Sequence, residues 1–291
     1  MIFSELDIAP AGDRHLLATI GDDASLESNF VALSFTAALD KAAIDGLCDL
    51  VPSYNSVLIQ YDFDRVSYAD LSIELAKIYQ TIPSAADLEI ESRLVKIPVL
   101  YLDPWTKACI DDYRLRIAER DYDPEFVARI NHLGGPEDVV ARHSGCEQWV
   151  VTVSSFPGLP ILRPLDPDCA LLSPKYNPPR TWTPVGSIGV GGASTSIYTI
   201  PSPGGYNLIG RTPAPVWDPS RSLSAFRDSA ILLRASDRVR FTPISRDEYD
   251  EVRERVRNGS YSYSIEPGVF STRAAQRHAA TALERATGMK S

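Results

Sequence analysis

"KYNPPRTWTPVGSIGVGGASTSIYTIPSPGGYNLIGRTP", residues 175–213, sets prolines, glycines, hydroxyls and two arginines in a run with no acidic residue. Three readings compete for it. A dinucleotide or phosphate loop must open a helix whose N-terminus holds the phosphates. After "GVGGAS" (189–194) the chain runs on as "STSIYTI", β-branched and aromatic, and no Gly-Lys-Ser/Thr follows. Those residues start another strand, so the nucleotide loop is rejected. In the second reading the glycines only turn a β-rich chain, with Gly204–Gly205 in a positive-φ turn after Pro203 and Gly191–Gly192 permitting close backbone approach. In the third, "SPGGYNLIGRT" gathers an anion site. Ser202, the Gly204 and Gly205 amides, Tyr206, Arg211 and Thr212 share one hairpin, and Lys175, Tyr176, Asn177 and Arg180 add donors just upstream. Amides of a glycine turn can form an anion nest, and an arginine grips a carboxylate with two parallel N–H groups. Such a set suits a reaction that develops negative charge on oxygen.

No nucleophile accompanies it. There is no Gly-x-Ser-x-Gly elbow, and His15, His132, His143 and His278 fall in different elements. Asp166 in "PLDPD" suits a turn before proline better than a general base. Cys48, Cys109, Cys146 and Cys169 form no CxxC pair and no zinc spacing, so they read as reduced, isolated thiols and no metal is expected.

The rest of the chain is that of an ordinary globular protein, with 44% hydrophobic and 23% charged residues over 291 positions. A net charge of −9 argues against a sequence-independent nucleic-acid or anionic-membrane surface. No run approaches the roughly 18 apolar residues of a membrane span, and "MIFSELDIAPAGDRH" lacks the basic and apolar regions of an export signal. A cytoplasmic location is expected.

Periodicity orders the first hundred residues as β-α-β-β-α-β. "RHLLATIG" (14–21), "CDLVPSY", "SVLIQYDF" and "SRLVKIPVLYL" (92–102) are the strands; residues 25–44 and 68–82 are helices, capped by Ser25 or Ser28 and by Ser67 or Asp70. That order is the ferredoxin-like split unit. Residues 103–121 and 124–145 read as helical, broken at Asp121–Pro124 and Gly134–Gly135. Beyond Gly145, "QWVVTVSSF", "SIGVGG", "SIYTI", "YNLIGRT", "SAILL" and "DRVRFTPI" are short strands between Gly/Pro/Ser turns, the pattern of a barrel or sandwich. Residues 245–259 form a charged helix with a solvated face, capped by Ser245 and stopped at Gly259. The expected fold class is α+β, with a domain over 1–95, a second over 96–270 carrying a helical insertion near 103–145, and a tail over 271–291 that is either a helix or a frayed end.

The quoted stretch, extended to "APVWD", resembles the carboxyltransferase C–D subdomain family, which includes allophanate hydrolase subunit 1 and the B subunit of 5-oxoprolinase. "GLCDLVPSYNSVLIQYD", "KIPVLY" and "DRVRFTPIS" carry the likeness outward over roughly residues 12–270, with "GGA", "SPGGY" and "GRTP" its most specific pieces. "DPWTKACIDDYR", "PEFVARINHLGG", "PLDPD", "KYNPPRTWTP" and "GSYSYSIEPGVFS" look closest to the urea-carboxylase branch, while "VSSFPGLPIL" (153–162) looks nearer the oxoprolinase branch. The resemblance implies a ferredoxin-like domain followed by a cyclophilin-like β-barrel, working beside a homologous A–B half. It implies biotin carried on a separate protein, since "GMKS" puts Lys290 at the chain end and matches a biotin carrier poorly. A biotin carboxylase or an amidohydrolase-type subunit is the further partner, ATP acts only through partner subunits, and the substrate is a small amide-like molecule. Under this reading Arg211, Tyr206 and Tyr198 are the catalytic candidates. Lys175, Tyr176, Asn177, Arg180, Gly191, Gly192, Ser202, Gly204, Gly205 and Thr212 are the binding candidates. Two alternatives remain open: the B-type component of an ATP-dependent lactam hydrolase, and a binding protein that inhibits sensor kinases.

Overall fold

The computed structural model describes residues 1–275. Its Cα packing divides the chain into Met1–Ser92 with the segment from Gly268, and Arg93–Pro267. The tail reading, His278 and Lys290 lie wholly or largely outside the described residues. No helix among those residues is long and apolar enough to cross a membrane.

The first unit holds β1 (Ile2–Pro10), β2 (His15–Gly21), α1 (Leu26–Ala42), β3 (Leu47–Pro52), β4 (Ser56–Tyr61) and α2 (Tyr68–Tyr79). Its sheet is antiparallel in the order β1-β2-β4-β3. Alternation makes the core: Leu16, Ala18 and Ile20 of β2 and Val57, Ile59 and Tyr61 of β4 are buried, as are Phe30, Phe35 and Leu39 of α1 and Leu71 and Leu75 of α2. Ser25 and Ser67 are the N-caps, accepting from the amides of Ser28 and Asp70.

One strand differs from the sequence reading. The place beside β2 belongs to β1, and the strand expected there, now β5 (Glu89–Tyr101), joins the other sheet. Tyr79 at the end of α2 fixes β1 through a 2.8 Å bond to the Phe3 carbonyl. β5 alternates buried residues over most of its length, and Val95, Ile97 and Val99 belong to the second core.

The second unit continues with α3 (Pro104–Arg116), α4 (Asp123–Ile130), α5 (Pro136–Ser144), β6 (Gln148–Val153), β7 (Pro160–Pro164), β8 (Ser187–Gly191), β9 (Ser194–Ile197), β10 (Asn207–Arg211), β11 (Arg238–Pro243) and α6 (Arg246–Arg257); β12 (Ser264–Ser271) follows. Strand order is β10-β8-β9-β7-β6-β11-β5-β12, and β10 also pairs with β5 through Gly210↔Tyr101 and Arg211↔Leu100. That last pairing closes seven strands into a ring, removing open edges. The β5–β11 pair is parallel, from Arg238↔Leu94 to Pro243↔Val99. Val150, Leu162, Ile188, Val190, Ile197, Ile209, Val239 and Phe241 fill the interior, each worth roughly 1.5–3 kcal/mol when fully buried. "SAILL" is no strand; Ile231 makes only an isolated bridge with Trp217.

His143 of α5 is sealed in this core. Its Nδ1 meets the Tyr101 hydroxyl at 2.7 Å and its Nε2 the Thr195 hydroxyl at 3.1 Å. Burial pushes its pKa down to about 3, so the ring is neutral and structural.

Candidate active site

The Gly-rich run lies largely across β8, β9 and β10. Gly189–Ser194 opens no helix and passes into β9, as the rejection of a nucleotide loop requires. Gly192 has φ 63°, but neither Gly204 nor Gly205 has positive φ, so the expected turn geometry is corrected. Gly204 lies in extended backbone, bridged to Arg180 by Gly204 N–H to Arg180 O at 3.1 Å and Arg180 N–H to Gly204 O at 2.9 Å. The Gly204 amide is therefore spent on the backbone and cannot join an anion nest. Glycine is required there for space: a Cβ would sit 2.4 Å from the Tyr198 hydroxyl oxygen and 2.7 Å from Thr183 Oγ1. Gly191 likewise leaves room for the Tyr206 ring, 2.5 Å from where its Cβ would be.

Arg180 and Tyr176 are also corrected, from ligand donors to parts of a buried network. Arg180 is 1% exposed. Its Nη1 donates to the Tyr206 carbonyl at 2.7 Å, and its Nη2 reaches the Thr183 and Tyr198 hydroxyls at 3.4 Å. Two guanidiniums lie against the Tyr176 ring, Arg120 at 3.6 Å and Arg180 at 4.5 Å from its centroid. The Tyr176 hydroxyl donates to Asp123, which also accepts from the Leu208 amide at 2.7 Å and lies 3.3 Å from Arg120 Nε. Burial pushes the Asp123 carboxyl above its ordinary value, against the pull of those donors. Arg120 Nη2 donates to Asn207 Oδ1 at 2.6 Å, and Asn207 Nδ2 donates to Ser173 Oγ and Pro174 O.

Sequence patterns do not single out Asp123, Arg120 and Asn207. The available signals are weak: an Asp-Pro pair at a helix start, and an asparagine inside a strand, where that residue is depleted. Lys175 and Asn177 are exposed, with Lys175 Nζ 5.2 Å from the Tyr206 ring centroid. Ser202 Oγ is buried with no hydrogen-bond partner among the described residues. Asp166 caps a short turn, accepting from Asp168 N at 3.0 Å, the turn-forming role expected of it.

Arg211, Thr212 and Tyr198 meet at a cavity of about 230 Å³. Its walls are largely apolar, with Val185, Ile197 and the Pro213–Trp217 segment, and α6 contributes Tyr249, Arg253 and Val256. Arg211 sits at the end of β10. Its Nε donates to the Val185 carbonyl at 2.7 Å and its guanidinium lies 5.1 Å from the Trp105 ring centroid. Trp105 itself follows the α3 cap, Asp103, whose carboxylate accepts from the Trp105 and Thr106 amides at 3.0 and 2.9 Å. Tyr198 joins cavity and network, since its hydroxyl also accepts from Tyr206 N–H at 3.4 Å. Burial raises the Tyr198 pKa, which disfavours a phenolate.

A closed strand ring, a small and largely apolar cavity that Arg211 lines with its Nη groups unspent, and a polar loop beside it describe an α+β protein with an arginine-bearing pocket among its described residues. The family model for the carboxyltransferase domain, subdomain C and D, matches residues 6–226, and the chain belongs to that family. Urea amidolyase of Saccharomyces cerevisiae is 31% identical over 265 residues, 89% of this chain and 14% of that protein. The B subunit of Bacillus subtilis 5-oxoprolinase is 28% identical over 256 residues, 85% of this chain and 96% of that protein. The crystal structure of the Kluyveromyces lactis urea carboxylase superposes with a TM-score of 0.85 at 25% identity, over 99% of this chain and 26% of that one. The chain thus spans about one-seventh of the yeast urea amidolyase it matches.

Proposed function

We propose that this chain is the C–D half of a biotin-dependent carboxyltransferase of the urea-carboxylase type. It acts with an A–B partner to move a carboxyl group from carboxybiotin to a urea-, guanidine- or amide-type nitrogen. The observation that carries this reading is the likeness to the urea carboxylase over 99% of the chain, which takes in the helices α3–α5 and α6 as well as the strands. The reading includes a ferredoxin-like first domain, with β1 as its fourth strand, and a cyclophilin-like ring after it. It also includes domain boundaries near residues 95 and 270, a cytoplasmic location and a hetero-oligomeric assembly.

The cavity suits the chemistry. Apolar walls at Pro213–Trp217 accept an uncharged ring, and the Arg211 Nη groups make no hydrogen bond among the described residues. Carboxybiotin, when bound, supplies the activated carboxyl group. Arg211 holds the carboxylate and faces the charge that develops on oxygen, a task it takes up because the Gly204 amide is already bonded. Tyr198, which lines the cavity, is the hydroxyl placed to relay the proton leaving nitrogen, with Tyr206, outside the cavity lining, as the further candidate. Lys175, exposed at the loop, orients the incoming group.

Reconstitution tests this. The chain, its A–B partner and a biotin carboxylase with its carrier should consume ATP and bicarbonate only when an amide-type acceptor is present. Turnover that needs no biotin protein would reject the reading. That outcome points to a lactam hydrolase instead, the second reading, which the near-complete coverage of the 5-oxoprolinase component favours.

A further inference from the structure

We infer that the cavity is a carboxylate pocket with two cationic residues, in which Arg253 of α6 acts beside Arg211 and fixes the specificity of the site for a small anion with an uncharged body. This deepens the proposed function and rests on its reading of Arg211 as the carboxylate-holding residue.

On α6, Tyr249, Arg253 and Val256 are spaced i, i+4 and i+7, which puts them on one face, and all three line the cavity. One charge of a helix read as merely solvated therefore borders the site, with its side chain still 62% exposed. α6 is set firmly: Ser245 and Glu248 form a reciprocal capping box, and Tyr249 is buried against Trp105 at 4.9 Å between centroids. Helix α6 begins after residue 226, where the match to the family model stops.

Both guanidiniums have donors to spare. Arg211 uses only Nε, on the Val185 carbonyl. Arg253 makes no hydrogen bond among the described residues, and its nearest acid, Asp250 Oδ1, lies 3.9 Å away. That loose ion pair is the one partner of Asp250 Oδ1 among the described residues, while its Oδ2 accepts from Arg246 Nε at 2.7 Å. Asp103 accepts from the first turn of α3 and the Thr106 hydroxyl. Trp105 positions Arg211, whose guanidinium lies 5.1 Å from its ring centroid, with Arg246 at 4.6 Å from the same ring.

The pocket is also small. About 230 Å³ is below the roughly 300–1,000 Å³ of pockets for drug-sized ligands, so its occupant is smaller than those. The remaining wall, including Pro213, Val216 and Trp217, offers apolar contact to its body.

Sodium butyrate and its neutral isostere butyramide separate charge from shape. Calorimetric titration of the full chain alone should show butyrate binding about tenfold or more tightly than butyramide, the loss expected when a charge-assisted bond is removed. Arg253→Ala and Arg211→Ala should each weaken butyrate about tenfold, and Arg253→Lys should recover part of it. Arg257→Ala, on a residue paired with Glu254 outside the cavity, should change nothing. Equal binding of the two compounds, no heat with butyrate, or unchanged affinity in folded Arg253→Ala would each overturn the proposal. The butyrate–butyramide contrast needs no variant, so a misfolded mutant leaves the test intact. Binding by the chain alone and partner-dependent turnover are separate measurements, so the pocket can fail while the carboxyltransferase reading stands, and the reverse.

Discussion

The hydroxyl of Tyr176 donates to Oδ1 of Asp123 at 2.5 Å, tying the loop before β8 to the first turn of α4. Around that bond the Arg120 and Arg180 guanidiniums, the Asn207 amide and the Leu208 backbone form a continuous buried network. Residues that the sequence offers as ligand donors thus hold the floor of the site in place.

Tyr176→Phe removes one donor from a buried carboxylate and should destabilise the protein by about 1.5–3 kcal/mol. Asp123→Ala strands Arg120 in the interior and should cost more, about 3–5 kcal/mol. Urea unfolding monitored by fluorescence measures both. Losses under about 0.5 kcal/mol in each would show that the network contributes little to stability.

Adjacent glycines should respond differently. Gly204→Ala forces a methyl group onto the Tyr198 hydroxyl and Thr183 Oγ1 and should cost about 1–3 kcal/mol. Gly205→Ala meets nothing closer than 3.5 Å and should be tolerated. Thermal melts of the two variants decide the matter, and equal losses would contradict the close packing at Gly204.

His143 predicts a pH dependence. Its folded pKa, about 3, lies below the ordinary value of 6.5, so the unfolded state takes up a proton that the folded state refuses. Its contribution is complete above pH 6.5 and is lost as pH falls toward 3, by about 1.4 kcal/mol per unit within that window. Comparing unfolding free energies of the native protein and His143→Gln at several pH values isolates this share. Parallel pH profiles would mean that the ring titrates normally.

In the reconstituted enzyme, Arg211→Ala should lower turnover about 10²- to 10³-fold. A fall of less than about threefold would remove Arg211 from the carboxylate-holding role.

Much of this architecture is legible in the residues. Ser25, Ser67 and Ser245 announce their helices, and the strands after Gly145 follow their punctuation, "SAILL" excepted, which forms only a bridge. Two things escape a local pattern. The sheet edge beside β2 could be filled by either flanking strand, and only packing selects β1 over β5. The surroundings of isolated charges are equally silent: nothing local separates the buried Asp123 from the exposed acids around it, or marks Arg253, itself exposed, as the α6 arginine that borders the cavity. The double glycine misleads for a related reason, since Gly204 is there to admit the Tyr198 hydroxyl and not to turn the chain.

The parallel pairing of β5 with β11 also sets an order in time. Leu94–Val99 has no β11 partner until Arg238–Pro243 has been made, roughly 7–30 s later at usual synthesis rates. During that interval the nascent β5 presents Val95, Ile97 and Val99 without its lateral neighbour, the apolar strand edge on which chaperones and misassembly compete. Substitutions that weaken β11 should therefore lower the yield of soluble chain in cells more than they lower the stability of the protein once folded.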